Sequence, residues 1–459
     1  MIISFSVSNF RSFASEETFS LVATKDAASH PNHLVDIPNS KERALRTGVI
    51  YGANGAGKSN LFKALTYMKD LVIRPRPKNV GTDRDPFLLT TEPPAPTSLE
   101  LQFIAGDTHY RLGLKVDDQS ILEEWLVRVK GGREAVVYER TTSANGVVTV
   151  ELPKGSKPGQ KLSALATVGG PANQTFLATV LANLDQPEWT IDFAATLHWF
   201  QTSLRLVAPD ESIVPVGHFM AKHPEFLAFA GEFLRACATG VDELEAVQEE
   251  VSEEEIRKLI PNRLFLEMLD REGVDSVLML PDGREIVTEN DGKTKYFSIS
   301  VSAKHQISSK FSIPFSLAQE SDGTRRLLNL IPAIAHLQQA DGVYFIDEID
   351  RSLHPMLVSK FLEFFLNSCA GGNNQIIITT HESNLLNLDL LRRDEIWFAK
   401  KGPNRATQLS SLADFQVRKD HEIRKHYLQG RFGAVPFLGN LDRLQPNNPS
   451  LGPEKVPAS

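Results

Sequence analysis

The stretch Gly52-Ala-Asn-Gly-Ala-Gly-Lys-Ser59 constrains this chain more than any other, because of what flanks it. The apolar run Thr47-Gly-Val-Ile-Tyr51 precedes it, and Asn60–Met68, with helical spacing of its apolar residues, follows. A fold that uses it must carry a buried strand into a glycine loop and out into a helix, which is the context the pattern GxxxxGK[ST] requires. Gly52, Gly55 and Gly57 allow the backbone to curl so that successive N–H groups point inward at a polyphosphate. The predicted cradle runs from Gly52 through Asn54 and Ala56 to Asn60, and the helix N-terminus adds partial positive charge. Lys58 is placed to meet the phosphates as a point charge, and the Ser59 hydroxyl suits a Mg²⁺ ligand.

Far downstream, Gly342-Val-Tyr-Phe-Ile-Asp347-Glu348 reads as a buried strand ending in two carboxylates. Asp347 suits the second Mg²⁺-holding role, that of a Walker B aspartate. Glu348, one residue on, suits the base that polarises an attacking water. The two stretches together predict that ATP and Mg²⁺ are bound and that ATP is hydrolysed, with Lys58 and Glu348 catalytic.

A length of 459 residues exceeds a usual single core, so two or three lobes are expected. Apolar content of 41% and charged content of 23% belong to a globular chain, and the net charge of −8 argues against a surface coated with basic nucleic-acid patches. Cys237 and Cys369 suggest neither a disulfide framework nor a zinc site, and a reduced cytoplasmic setting is expected. The opening residues alternate like a strand without a basic leader, and no apolar run reaches about 18 residues, so neither a signal peptide nor a membrane span is predicted.

Along the chain, strands are predicted around Ile2–Val7 and Glu17–Val22, a surface loop over 26–46, and irregular proline-rich chain over 71–98. Two hairpins follow over 98–116 and 123–140. Residues 153–170 read as a linker, 173–258 as helical with a solvated acidic face or mobile arm over Glu243–Glu255, and 274–301 as strands returning to the sheet. From Phe315 the order helix, strand, helix, strand predicts a parallel sheet with helical crossovers.

Between the two nucleotide motifs lies Gln319-Glu-Ser-Asp-Gly-Thr-Arg-Arg326, and Ser321-Asp-Gly-Thr324 resembles the signature motif of ABC-type ATPases. The resemblance implies that Ser321 and Gly323 grip the γ-phosphate held by an opposite subunit. Ile349–Pro355 looks like the D-loop of that family, and His381, after Ile376–Thr380, matches its switch histidine. Asn9-Phe-Arg-Ser-Phe13 resembles the opening of SMC-, RecF- and OLD-like ATPases, which makes Arg11 a candidate phosphate or adenine contact. No glutamine stands in the family's Q-loop position, since Gln102 falls inside a predicted strand.

Within this superfamily the chain is most similar to AAA/ABC-like ATPases of bacterial phage-defence and abortive-infection systems, over residues 1–130 and 300–437. The implied fold is α/β: an ABC-ATPase-like P-loop NTPase head with an antiparallel β subdomain and an inserted helical domain. The expected division is an N-terminal ATPase lobe over 1–150, a mainly helical insertion over 151–300, a C-terminal ATPase lobe over 301–437 and a disordered tail over 438–459. About 80 residues follow His381, too few for the TOPRIM nuclease of OLD proteins, so the resemblance implies a separate effector chain, as in the PARIS system. The expected partners are a second copy sharing the ATP sites, that effector, a phage-encoded trigger, and no membrane. The rival is a RecF/SMC-like repair ATPase that binds DNA.

Overall fold

The computed structural model describes residues 1–25, 30–91, 93, 95–154, 159–261, 263, 276–290, 294–308, 311–369, 372–402, 404–415 and 423–433. At its centre is a six-stranded sheet ordered Leu204–Val207, Val343–Ile346, Gln375–Thr380, Thr47–Tyr51, Ile396–Lys401 and Thr407–Ser411. The first five are parallel, and the last closes the edge antiparallel.

The unbroken apolar runs of these strands follow from burial of both faces. Side chains alternate across a strand, and the alternation divides the sheet cleanly. Ile50, Val343, Phe345, Ile377 and Ala399 point into one core, while Val49, Tyr51, Tyr344, Ile346, Ile376, Ile378 and Phe398 point into the other. The first core holds the helix Lys58–Ile73, whose Leu61, Ala64, Leu65, Met68, Leu71 and Val72 recur at helical spacing. It also takes one face of a seven-stranded antiparallel sheet, ordered Val148–Glu151, Arg133–Thr142, Ile121–Lys130, Thr108–Val116, Thr97–Ala105, Ile2–Ser8 and Glu17–Ser20. The second core holds the helices Pro224–Ala236, Asp322–Gln339 and Pro355–Ser368. The predicted α/β head with an antiparallel β subdomain is therefore present.

The middle of the chain departs from several expectations. Helices fill Phe176–Asn183, Ile191–His198 and Pro224–Ala236, but Leu204–Val207 between them enters the central sheet beside Val343–Ile346. The acidic segment is not a free arm, and only its last residues, in the helix Glu253–Leu259, are helical; its carboxylates are mostly exposed. Glu243–Val251 is a strand paired with Thr294–Ser308, and Leu244 and Ala246 pack inward while Lys304 lies 3.8 Å from Glu243 and 3.3 Å from Glu245. Strand alternation was present at Leu244 and Ala246, but the carboxylates between them masked it. The strands Ser276–Met279, Glu285–Asn290 and Thr294–Ser308 do not return to the large sheet; with Glu243–Val251 and Phe311–Ser316 they form a separate antiparallel one.

Two loops are more ordered than predicted. Within 26–46 a short turn, Pro31–His33, leads into the hairpin Leu34–Asp36 with Arg43–Leu45. Within 153–170 lies the helix Gln160–Val168. The expected tail over 438–459 lies outside the described residues.

One buried polar network joins the antiparallel sheet to the helical segment. Glu124 accepts from the Phe176 and Leu177 N–H groups at 2.6 and 3.3 Å and from the Tyr138 hydroxyl at 2.6 Å. Arg140 stands 3.8 Å from the same carboxylate and donates to Pro171 and Ala172 carbonyls at 3.1 and 3.0 Å. Burial pushes the Glu124 carboxyl up, opposed chiefly by Arg140 and by these hydrogen bonds.

Candidate nucleotide site

Parallel strands place their carboxyl ends along one edge, and open α/β sheets build their sites there. Three neighbouring strands do so here: Thr47–Tyr51 leads into the glycine loop, Val343–Ile346 into Asp347 and Glu348, and between them Gln375–Thr380 into His381. The central position of the third strand decides the geometry, because its last residues reach both neighbours.

The loop bends where glycine is needed. Gly55 and Gly57 have φ of 75° and 110°, in the left-handed region. A Cβ on Gly57 would stand 2.0 Å from Thr407 Oγ1 and 2.9 Å from Ser12 Oγ, and one on Gly52 would stand 2.5 Å from the Ala399 carbonyl. Asn54 and Gly55 form the exposed crest, while Ala56 and Gly57 are buried. Thr407 donates to the Ala56 carbonyl at 2.7 Å, and Asn60 donates to Ser12 Oγ at 2.7 Å. The side chain of Asn60 thus ties the start of the helix to Ser12.

Lys58 opens the helix and folds back over the loop, its ammonium donating to the Gly52 and Ala53 carbonyls at 2.7 and 3.3 Å. It also donates to His381 Nδ1 at 3.0 Å. An ammonium has no acceptor capacity, so His381 carries its proton on Nε2, which faces Glu348 Oε1 at 3.7 Å. Burial lowers the Lys58 pKa to about 8, against the attraction of Asp350, Asp347 and Glu348.

Asp347 is buried, and its carboxylate accepts from Ser59 and, at 2.5 Å, from Thr379 Oγ1. Burial raises its pKa and these two bonds hold it down. Thr379 also accepts the Glu348 N–H at 2.8 Å, which secures Glu348 at a φ of 48°. That left-handed conformation is strained for a side-chain-bearing residue and needs such a tether. Asp350 accepts the His381 N–H at 3.2 Å and so holds the backbone at His381.

The structure therefore brings Lys58, Ser59, Asp347, Glu348 and His381 together. It keeps three other predicted residues apart from them. Arg11 pairs with Asp85 at 2.8 Å, and it is the next residue, Ser12, that touches the loop. Ser321 caps the helix Asp322–Gln339, accepting the Thr324 N–H at 3.1 Å, and it is exposed. Gly323 lies against the segment after Glu348, where a Cβ would stand 2.8 Å from the Ser352 carbonyl. Among the described residues neither hydrogen-bonds to the phosphate loop of its own chain. Gln102 sits in the strand Thr97–Ala105, opposite Arg111, and takes no part in the site.

Sequence reasoning passed over Ser12, Thr379, Thr407 and Asp350. Ser12 and Thr379 stand beside singled-out residues and were within reach; Thr407, an ordinary edge-strand threonine 349 residues from Lys58 in number, carried no signal.

The residues fit a nucleotide with Mg²⁺. Gly55 and Gly57 at positive φ let the loop curl, and an ammonium lies folded over it. The touching oxygens of Ser59 and Asp347 are the hard donors that Mg²⁺ prefers.

The profile of the family described as "AAA domain, putative AbiEii toxin, Type IV TA system" matches residues 49–155 and 232–387, more than half of the chain. A search of curated protein sequences finds no match. Solved structures similar to the chain include the SMC head domain from Thermotoga maritima, at 13% identity and a TM-score of 0.38 over 89% of this chain and 98% of that one. An Smc head domain with an extended coiled coil bound to the C-terminal domain of ScpA, derived from Pyrococcus furiosus, aligns at 12% identity and a TM-score of 0.39, over 89% of this chain and 96% of that one. No helix among the described residues is long and apolar enough to cross a membrane.

Proposed function

The chain belongs to this AAA-domain family, and on that premise we propose that it is an ABC-type ATPase that senses phage infection and restrains a separate effector chain. The ATPase part of this reading is carried by one observation: Thr379 joins the Asp347 carboxylate to the Glu348 backbone, while His381 lies between Lys58 and Glu348. An ATP-hydrolysing site needs those elements converging at one sheet edge.

In the proposed reaction the loop N–H groups and Lys58 neutralise the phosphates. Ser59 and Asp347 would hold Mg²⁺, which supplies positive charge against the charge developing on the phosphate oxygens. Glu348 accepts a proton from the attacking water, and His381 Nε2 lies 3.7 Å from that carboxylate. The exposed, capped Ser321 and Gly323 suit an anion brought by a second copy, so two copies would enclose two nucleotides. The family description supports a place in defence or toxin systems, and a nuclease or toxin encoded on another chain and a phage-encoded trigger complete the proposal, all in the cytoplasm.

The test is tagged Glu348→Gln protein recovered from its native cell before and after phage challenge. Turnover should fall by roughly 10²–10⁴-fold with ATP retained. One stoichiometric small protein should copurify and be released on infection. Unchanged turnover would remove Glu348 as the base. Recovery of DNA or DNA-processing proteins would replace the sensor reading with a RecF/SMC-like repair role.

A further inference from the structure

We infer that the hairpin preceding Ser321 docks on the loop Asp85–Thr90 of a second copy of this chain, through Phe311 and Phe315 against Leu88 and Leu89. The inference rests on the composite-site reading above and extends it to a protein–protein contact that the nucleotide does not make.

The core-facing side of the separate antiparallel sheet carries Ile299, Val301 and Ala303 into the interior. The face of Ala303 and His305 continues across the pairing onto Ile313 and Phe315, and a bulge between Gln306 and Ser308 ends the simple alternation at Ile307. Ile307 is 65% exposed, Phe311 59% and Phe315 39%, with Phe315 opposite Ala303 and Ile313 opposite His305. Leu88 and Leu89 are likewise 77% and 59% exposed. Single exposed apolar residues are ordinary, but a contiguous aromatic and aliphatic stripe marks a contact surface.

The occupant follows from what each patch is attached to. His305 Nε2 meets Glu320 Oε1 at 2.6 Å, and Glu320 adjoins Ser321, so the aromatic stripe is held at a set position relative to the signature cap. On the other side, Asp85 pairs with Arg11 through its side chain at 2.8 Å and accepts the Arg11 N–H at 2.6 Å. The Phe87 N–H donates to Asn9 Oδ1 at 3.1 Å, and Ser12 in the same turn touches Asn60 and Thr407 at the phosphate loop. One apolar patch thus travels with the signature cap and the other with the phosphate loop. A two-fold pairing that sets Ser321 of one copy over the phosphate loop of its partner brings the unlike patches towards each other twice. Pro314 blunts the free edge of the strand Phe311–Ser316, which favours docking by the face over strand addition at the edge.

The experiment mixes two differently tagged full-length chains, Leu88→Cys and Phe315→Cys, in a Glu348→Gln background with Cys237 and Cys369 replaced by alanine. A short bis-maleimide is added with and without ATP, and association is followed by sedimentation. A crosslink between the two tags that appears only with ATP supports the inference. An ATP-dependent dimer without that crosslink overturns it and leaves the composite site standing. Absence of any ATP-dependent dimer overturns the composite site and the inference together. In a second arm, Phe311→Ser/Phe315→Ser should weaken the ATP-dependent dimer about tenfold or more, with binding of a fluorescent ATP analogue by the monomer unchanged as proof of fold. Loss of a copurifying effector with dimerisation intact would assign the stripe to the effector and overturn the inference.

Discussion

Replacing Thr379 by valine removes one hydroxyl and little volume, and that hydroxyl ties Asp347 to Glu348. The bond to Asp347 is charge-assisted, 2.5 Å long and fully buried, and is worth about 2 kcal/mol. The bond from the Glu348 N–H is neutral and part-buried, so water can replace some of it, and about 1 kcal/mol is reasonable. Thr379→Val should therefore lower stability by about 3 kcal/mol, measured by urea unfolding. The effect on turnover should be of similar size. Glu348 keeps its φ of 48° only while tethered, and a displaced base of about 1 Å costs on the order of 10²-fold in kcat. Asp347, already raised by burial, should rise further without the Thr379 bond, moving the acidic limb of the rate profile to higher pH. Thr379→Ser keeps the hydroxyl and should retain most of the activity. A valine variant with wild-type kcat and stability would refute the tether.

Lys58 is charged below its pKa of about 8 and loses its proton as pH rises through that value. Hence kcat/KM, which reports the free enzyme, should fall on the alkaline side near pH 8, and an alkaline limb near pH 10 would show an ordinary lysine. Gly57→Ala places a Cβ 2.0 Å from Thr407 Oγ1 at a φ of 110°, and ATP binding by calorimetry should be lost; Gly55→Ala, with nothing within 4 Å but a φ of 75°, should be milder. Glu124→Ala leaves Arg140 buried without its carboxylate and should destabilise by about 3–5 kcal/mol in urea unfolding, with partial recovery in Glu124→Ala/Arg140→Met. A single-variant loss below about 0.5 kcal/mol would show the network to be inert.

The amino-acid sequence by itself determined the parts of this protein whose constraint is local. The strand, glycine loop and helix around Gly52–Ser59 are contiguous, and the apolar runs at Val343–Ile346 and Ile376–Ile378 are apolar because both faces of their sheet are covered. Lys58, Ser59, Asp347, Glu348 and His381 were legible for the same reason, each standing at the end of such a run. Tertiary structure decided whatever depended on register between distant segments. The order of the central sheet put Gln375–Thr380 between the other two site strands, and only that order makes Thr379 a bridge. Thr407 reaches Ala56 because the edge strand pairs there, and nothing in its local sequence requires it. The acidic strand Glu243–Val251 and the turn that gives Ser12 to the loop and Arg11 to Asp85 are settled the same way, since a charged or polar residue takes its role from the partner that folding brings to it.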